Sequence, residues 1–168
     1  MAALITTAAA QVAAPRTQNQ EQVGWVSIVD GMRHFSGMRC PDVVGPFFRT
    51  KVLAADADRL AGCQYSAAGG MQAIMRKHLS GTGASAARAF LNNYRAGGFS
   101  QAKVTGIAET GVTFITGGGA DSAMCETLWR FSGEKSDYTL WLSYTLPAQE
   151  TQVGPAVAAF KAMLTRQD

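Results

Sequence analysis

His34 and His78 are the only histidines in the chain, and each stands alone in sequence. A zinc hydrolase needs paired histidines one helical turn apart, with a glutamate nearby, so that both rings reach one ion. Neither histidine has such a partner. A Ser–His–acid arrangement meets only in space, so spacing leaves that chemistry open. The Gly-x-Ser-x-Gly elbow, which exposes a serine on a strained turn, is absent. Gly81-Thr82-Gly83 and the run Gly117-Gly118-Gly119 do not supply it. A hydrolase therefore requires His34 or His78 to lie within hydrogen-bonding reach of a serine, a cysteine or an acid inside a cleft.

The other candidates are weaker. Glycines 117 to 119 offer backbone N–H groups to a phosphate. A P-loop, however, continues into Gly-Lys-Ser/Thr at a helix start; here Asp121 follows, which repels phosphate, and a strand comes next. A flexible hairpin loop over 117–122 is the better reading. Cys125 beside Glu126 looks like a nucleophile and a base, but neighbours on a strand point to opposite faces, so Cys125 reads as core. Arg76, Lys77 and His78 form the densest cationic cluster and read as a strand edge facing water. Arg88 and Arg95 share one polar helix face, which either holds an anion or acidic partner or faces solvent. Trp141 is a candidate interaction anchor if its strand face is open, and a core residue if a helix covers it. No catalytic, cofactor-binding or metal-binding residue is assigned.

Three cysteines, Cys40, Cys63 and Cys125, are too far apart in sequence for a zinc knuckle. In an oxidising compartment one pair forms a disulfide and one thiol stays buried. Cys40 with Cys63 is the favoured pair, worth about 3 kcal/mol by loop closure; three reduced, packed thiols are the alternative. The N-terminus supports export. Met1–Ala14, MAALITTAAAQVAA, has no charge and ends in the small-x-small pattern Val12-Ala13-Ala14, as a signal-peptide remnant does with Ala14 the last residue removed. Its basic n-region is missing, which a start codon set too far downstream explains. Residues 15–22, PRTQNQEQ, read as a polar linker, and residues 23–168 as one domain, within the usual size range. A net charge of +3 without a basic run gives no nucleic-acid footprint. No apolar run reaches the ~18 residues of a spanning helix.

These residues need elements to position them. Strand patterns run over 43–53, interrupted by Gly45-Pro46, then 61–67 and 71–79 about an Ala68-Gly69-Gly70 turn. Ala87, Phe90, Leu91 and Tyr94 make one helical stripe within Ala84–Ala96, stopped by Gly97-Gly98. Strands follow over 102–109 and 112–116, hinged at Thr110-Gly111, and over 124–131. Tyr138–Leu146 alternates cleanly, with Tyr138, Leu140, Leu142, Tyr144 and Leu146 on one face. A last helix runs 155–166, with Pro155 at its first position. The class is α+β: an antiparallel sheet of about six to eight strands packed by two helices, at about 84–96 and 155–166.

This order, with a Tyr-bearing strand before a Gly turn (Tyr65, Gly69, Gly70) and an aromatic hairpin (Trp129, Tyr138), resembles the PsbP-like α+β fold over about Phe35–Leu164. The resemblance implies an accessory or binding subunit rather than a catalyst, and carries over no residue role. Three functional readings stand: an exported, non-catalytic binding protein whose partner is another cell-envelope protein; a carrier of a small hydrophobic ligand in a pocket lined by Phe47, Phe48, Tyr65, Trp129 and Tyr144; and the hydrolase.

Overall fold

The computed structural model describes residues 23–106 and 110–167. The signal-like segment 1–14 and the linker 15–22 lie outside them. Three short strands come first: β1 (Trp25–Ile28), β2 (Gly31–His34) and β3 (Arg39–Pro41), an antiparallel meander. A larger antiparallel sheet follows, built from β4 (Val43–Val44), β5 (Phe47–Leu53), β6 (Arg59–Ala67), β7 (Gln72–Leu79), β8 (Ser100–Ala102), β9 (Val112–Gly119), β10 (Ser122–Ser132) and β11 (Ser136–Leu146). These eight lie in the order β4-β5-β6-β7-β11-β10-β9-β8. Helix α1 (Gly83–Ala96) links β7 to β8, and α2 (Glu150–Leu164) closes the chain. The class is α+β, as the alternation and the two amphipathic stretches require.

Each face of the large sheet has its own helix. Tyr138, Leu140, Leu142 and Tyr144 of β11 are buried on one face with Trp129, Tyr65, Met75 and Phe47. Phe160 of α2 completes that core, edge-on to Phe47 at 5.2 Å and Tyr65 at 5.3 Å, the geometry that aromatic quadrupoles favour. The opposite face carries Phe114, Glu126, Leu128, Thr139 and Trp141. Phe90 and Tyr94 of α1 pack on Phe114 at 5.8 Å and 5.2 Å. Cys40 of β3 and Cys63 of β6 form a disulfide, with Cα atoms 5.9 Å apart, that joins the small sheet to the large one. Cys125 is a buried free thiol.

Several expectations are corrected. Arg76, Lys77 and His78 do not sit at an edge: β7 lies between β6 and β11. The interior accepts their charge through carbonyls, with Arg76 Nη1 donating to Ala54 O at 2.9 Å and Lys77 Nζ to Ser36 O at 2.9 Å. The strand expected over 102–109 is instead Ser100–Ala102, the only part of that segment that pairs with β9 among the described residues; residues 107–109 lie outside the described ones. The hairpin expected over 117–122 has a shorter loop than its glycines suggest, with Gly117–Gly119 in β9 and Ser122 in β10. The last helix starts at Glu150, so Pro155 lies inside it. Pro155 is on the exposed side, and so is Thr151, whose carbonyl it leaves unbonded. The chain enters that helix through buried Gln149, which accepts from Thr145 N at 2.6 Å and donates to Gly69 O at 2.8 Å.

Candidate functional site

Helix α1 is too narrow to cover the sheet face on which it lies. Beside it a groove of about 570 Å³ opens. Alternate residues of β7, Ile74, Arg76 and His78, form its floor together with Thr139 and Trp141 of β11. Phe90 and Tyr94 of α1 form one wall, and the β5–β6 turn, Asp56 to Arg59, forms the rim.

The floor holds a buried histidine and a half-buried arginine. His78 is 1% exposed, and its Nε2 lies 2.8 Å from Thr139 Oγ1. Its Nδ1 is buried without a hydrogen-bond partner among the described residues. Burial, then repulsion from Arg59 and Arg76, lowers the pKa of this ring, so it is neutral at neutral pH. Arg76 stands opposite Gly62 of β6. A Cβ at Gly62 would come within 2.5 Å of Arg76 Cδ, so the missing side chain leaves the bed in which the arginine lies. Burial, then Arg59, pushes the Arg76 pKa down. Arg59 itself is paired at the rim: its Nε donates to Asp56 Oδ1 at 2.5 Å.

Trp141 lies half-buried between the floor and α1. Its indole N–H donates to Glu126 Oε2 at 3.0 Å and lies 3.3 Å from Tyr94 Oη. The Tyr94 hydroxyl donates to the same carboxylate oxygen. Burial first, and then this bond to Glu126, pushes the Tyr94 pKa up to about 12. These bonds fix the orientation of the ring at the groove. Arg88 and Arg95, its companions from the sequence, stay apart from it on the outer side of α1. Arg88 donates to Ser85 Oγ at 3.0 Å and Arg95 to Gln101 Oε1 at 3.0 Å; both are exposed.

The five aromatics expected to line a carrier pocket do not meet around a cavity. Phe47, Tyr65, Trp129 and Tyr144 are packed in the α2-side core, while Phe48 is 62% exposed. Strand alternation sends Phe47 and Phe48 to opposite faces. His34 does come within 2.8 Å of a serine hydroxyl, that of Ser36. The Ser36 backbone N–H also donates to that Nδ1, at 3.2 Å, and the ring packs against Trp25 and Phe35. This is the local closure of a tight turn. Burial pushes the Cys125 thiol up, which keeps it protonated, and Glu126 points to the other face. A second groove, of about 480 Å³, runs between α2 and β3–β4. Its buried Gln167 is fully engaged, accepting from Arg39 N at 2.7 Å and donating to Arg39 O at 2.9 Å. Among the described residues no three of His, Cys, Asp and Glu converge on a metal position.

The sequence reading placed Arg76 and His78 at a strand edge and did not single out Thr139, since nothing local marks β7 as central. One signal was present: a run of basic residues within a strand whose alternate positions, Ala73 and Met75, are apolar. No family model, no curated protein and no solved structure matches the chain.

Proposed function

We propose that this chain is a non-catalytic binding domain that holds a small, partly apolar molecule in the groove beside α1. One observation carries the reading: a concavity in the usual size range for ligands joins aromatic walls to a buried polar floor that includes an unpartnered His78 nitrogen. Among the described residues neither histidine has a carboxylate hydrogen-bonded to its ring, and Thr139 lies on a central strand, which argues for binding over hydrolysis. The resemblance of the sequence's element order to PsbP-like domains, mostly accessory or binding subunits, supports the same choice. The Cys40–Cys63 bond and the uncharged Met1–Ala14 segment support action in an oxidising compartment such as a periplasm; the mature chain recovered from a native envelope is then expected to begin at Pro15 by mass measurement.

A fragment screen followed by NMR tests the groove. Aromatic and aliphatic fragments should move the Trp141 indole cross-peak, assigned with W141F, and leave that of the buried Trp129 in place. Ala89→Trp, at an exposed position on the groove-lining side of α1, should fill the cavity and abolish the response. If no fragment moves Trp141, or if A89W responds as the wild type does, the groove is not a binding site.

A further inference from the structure

The groove has a polar end and an apolar end, and their chemistry defines the ligand. Arg76 is half-buried, yet no carboxylate pairs with it among the described residues. Among the described residues its hydrogen bond runs from Nη1 to the neutral carbonyl of Ala54, at 2.9 Å. A guanidinium carries five N–H donors in a planar fork, so most of its donors are left over. The charges around it do not meet that demand. Asp56 attracts Arg76 from the rim but is already paired with Arg59, Asp58 stands exposed at the rim, the buried Asp137 opposite His78 accepts from the Gly83 N–H at the start of α1, and Glu126 is engaged by Tyr94 and Trp141. Two positions further along the same strand face, His78 holds a buried Nδ1 with no partner. When the Thr139 hydroxyl donates to Nε2, the neutral ring presents Nδ1–H as a second donor. The bed above Gly62 holds Arg76 in place; any larger residue there collides with it.

The apolar end lies diagonally across the sheet. Arg76 pairs with Thr139, and Trp141 follows two residues on, opposite Ile74. Diagonal neighbours across a strand pair lie about 7–8 Å apart, the reach of one or two fused rings from a head group. Phe90 and Leu128 extend the apolar surface beyond Trp141.

We propose that the ligand is a planar, apolar molecule bearing one oxyanion, a carboxylate or its equivalent, with the anion between Arg76 and His78 and the flat body against Trp141 and Phe90. This rests on the groove being a binding site. Lysine cannot reproduce the fork at Arg76, because its ammonium is a single point charge.

The test uses three naphthalenes matched in body and different in head: 1-naphthoate, 1-naphthamide and 1-naphthylmethylammonium. Each is titrated into the full chain while the Trp141 indole cross-peak is followed. The carboxylate should bind about tenfold or more tighter than the amide, the range of one bond to a charged group, and the ammonium weakest. Arg76→Gln should erase the preference for carboxylate over amide while leaving the amide affinity in place, and Arg76→Lys should restore only part of it. Equal affinity of carboxylate and amide, or tightest binding by the ammonium through Asp58, overturns the assignment of an anion and leaves the groove standing. An R76Q variant that weakens all three probes equally also overturns it, because the arginine then shapes the site without reading charge. If none of the three moves Trp141, the groove reading falls and this assignment with it.

Discussion

Glu126 accepts from both the Trp141 indole and the Tyr94 hydroxyl, so one half-buried carboxylate fixes the two aromatics that border the groove. Replacing it with alanine strands both donors under α1. Bonds to a charged acceptor are worth about 1.5–3 kcal/mol each, and water reaching the half-exposed site recovers part of that. Glu126→Ala is therefore expected to cost about 1–3 kcal/mol in urea unfolding, and Glu126→Gln less, since an amide oxygen still accepts. The tyrosine titration gives a second measure. In the wild type, burial and then the bond to Glu126 push the Tyr94 pKa up to about 12. E126Q should lower that value, because the neighbouring negative charge that opposes the phenolate is gone. A Tyr94 titration unchanged in E126Q would show that the carboxylate is not its partner in solution.

At the scale of elements, α1 is docked by a residue outside it. Thr82 makes no side-chain cap; its hydroxyl turns back to Leu79 O instead. The first N–H of the helix, that of Gly83, donates to Asp137 Oδ2 of β11 at 2.9 Å, in a buried position. A carboxylate there satisfies an orphan donor and complements the helix dipole. Gly83 is required for the contact, since a Cβ would meet Asp137 Cβ and Oδ2 at 2.8 Å. Asp137→Ala and Gly83→Ala should each destabilise by about 1–2 kcal/mol, the usual worth of a cap, even though alanine has the higher helix propensity. An unchanged unfolding midpoint for G83A would contradict the docking geometry. Little of this was legible in sequence. The period of α1 and the alternation of β11 were, because each depends only on which residues are apolar, as Phe90, Leu91 and Tyr94 or Leu140 and Leu142 are. The helix anchor, the groove floor and the true start of α2 were not. Asp137 meets Gly83, His78 meets Thr139, and Gln149 meets Gly69 only after β7 and β11 have paired, so their partners lie many residues away. The strand expected over 102–109 failed for a related reason: local propensity does not say which segment the edge of β9 selects.

For the whole molecule, two features set how stability depends on conditions. The Cys40–Cys63 bond ties the small sheet to the large one across a sequence separation of 23. Reduction, or Cys40→Ser with Cys63→Ser, should lower stability by about 3 kcal/mol, and the β1–β3 meander should lose hydrogen-exchange protection before the large sheet does. The second feature is pH. His34 and His78 are each 1% exposed, and both have pKa values lowered from 6.5: His34 by burial chiefly, with Lys77 adding repulsion, and His78 by burial, then Arg59 and Arg76. A histidine with a lowered folded pKa takes up its proton more readily when unfolded. As pH falls below 6.5, protons therefore accumulate on the unfolded chain first, and stability declines until the folded pKa is reached. Above 6.5 both states are neutral and the contribution is constant. Each histidine adds a slope of at most about 1.4 kcal/mol per pH unit. Urea midpoints are thus expected to be level from pH 8 to 7 and to fall steadily from 6.5 toward 5. His78→Gln should flatten part of that fall, and a midpoint constant from pH 8 to 5 would contradict neutral burial of the two rings. The same protonation bears on the groove. Protonated His78 would face Arg59 and Arg76, whose repulsion Asp137 and Asp56 offset only in part, and an oxyanion between His78 and Arg76 would relieve what remains. Bound 1-naphthoate should therefore shallow the acid-side decline, whereas 1-naphthamide should leave its slope unchanged.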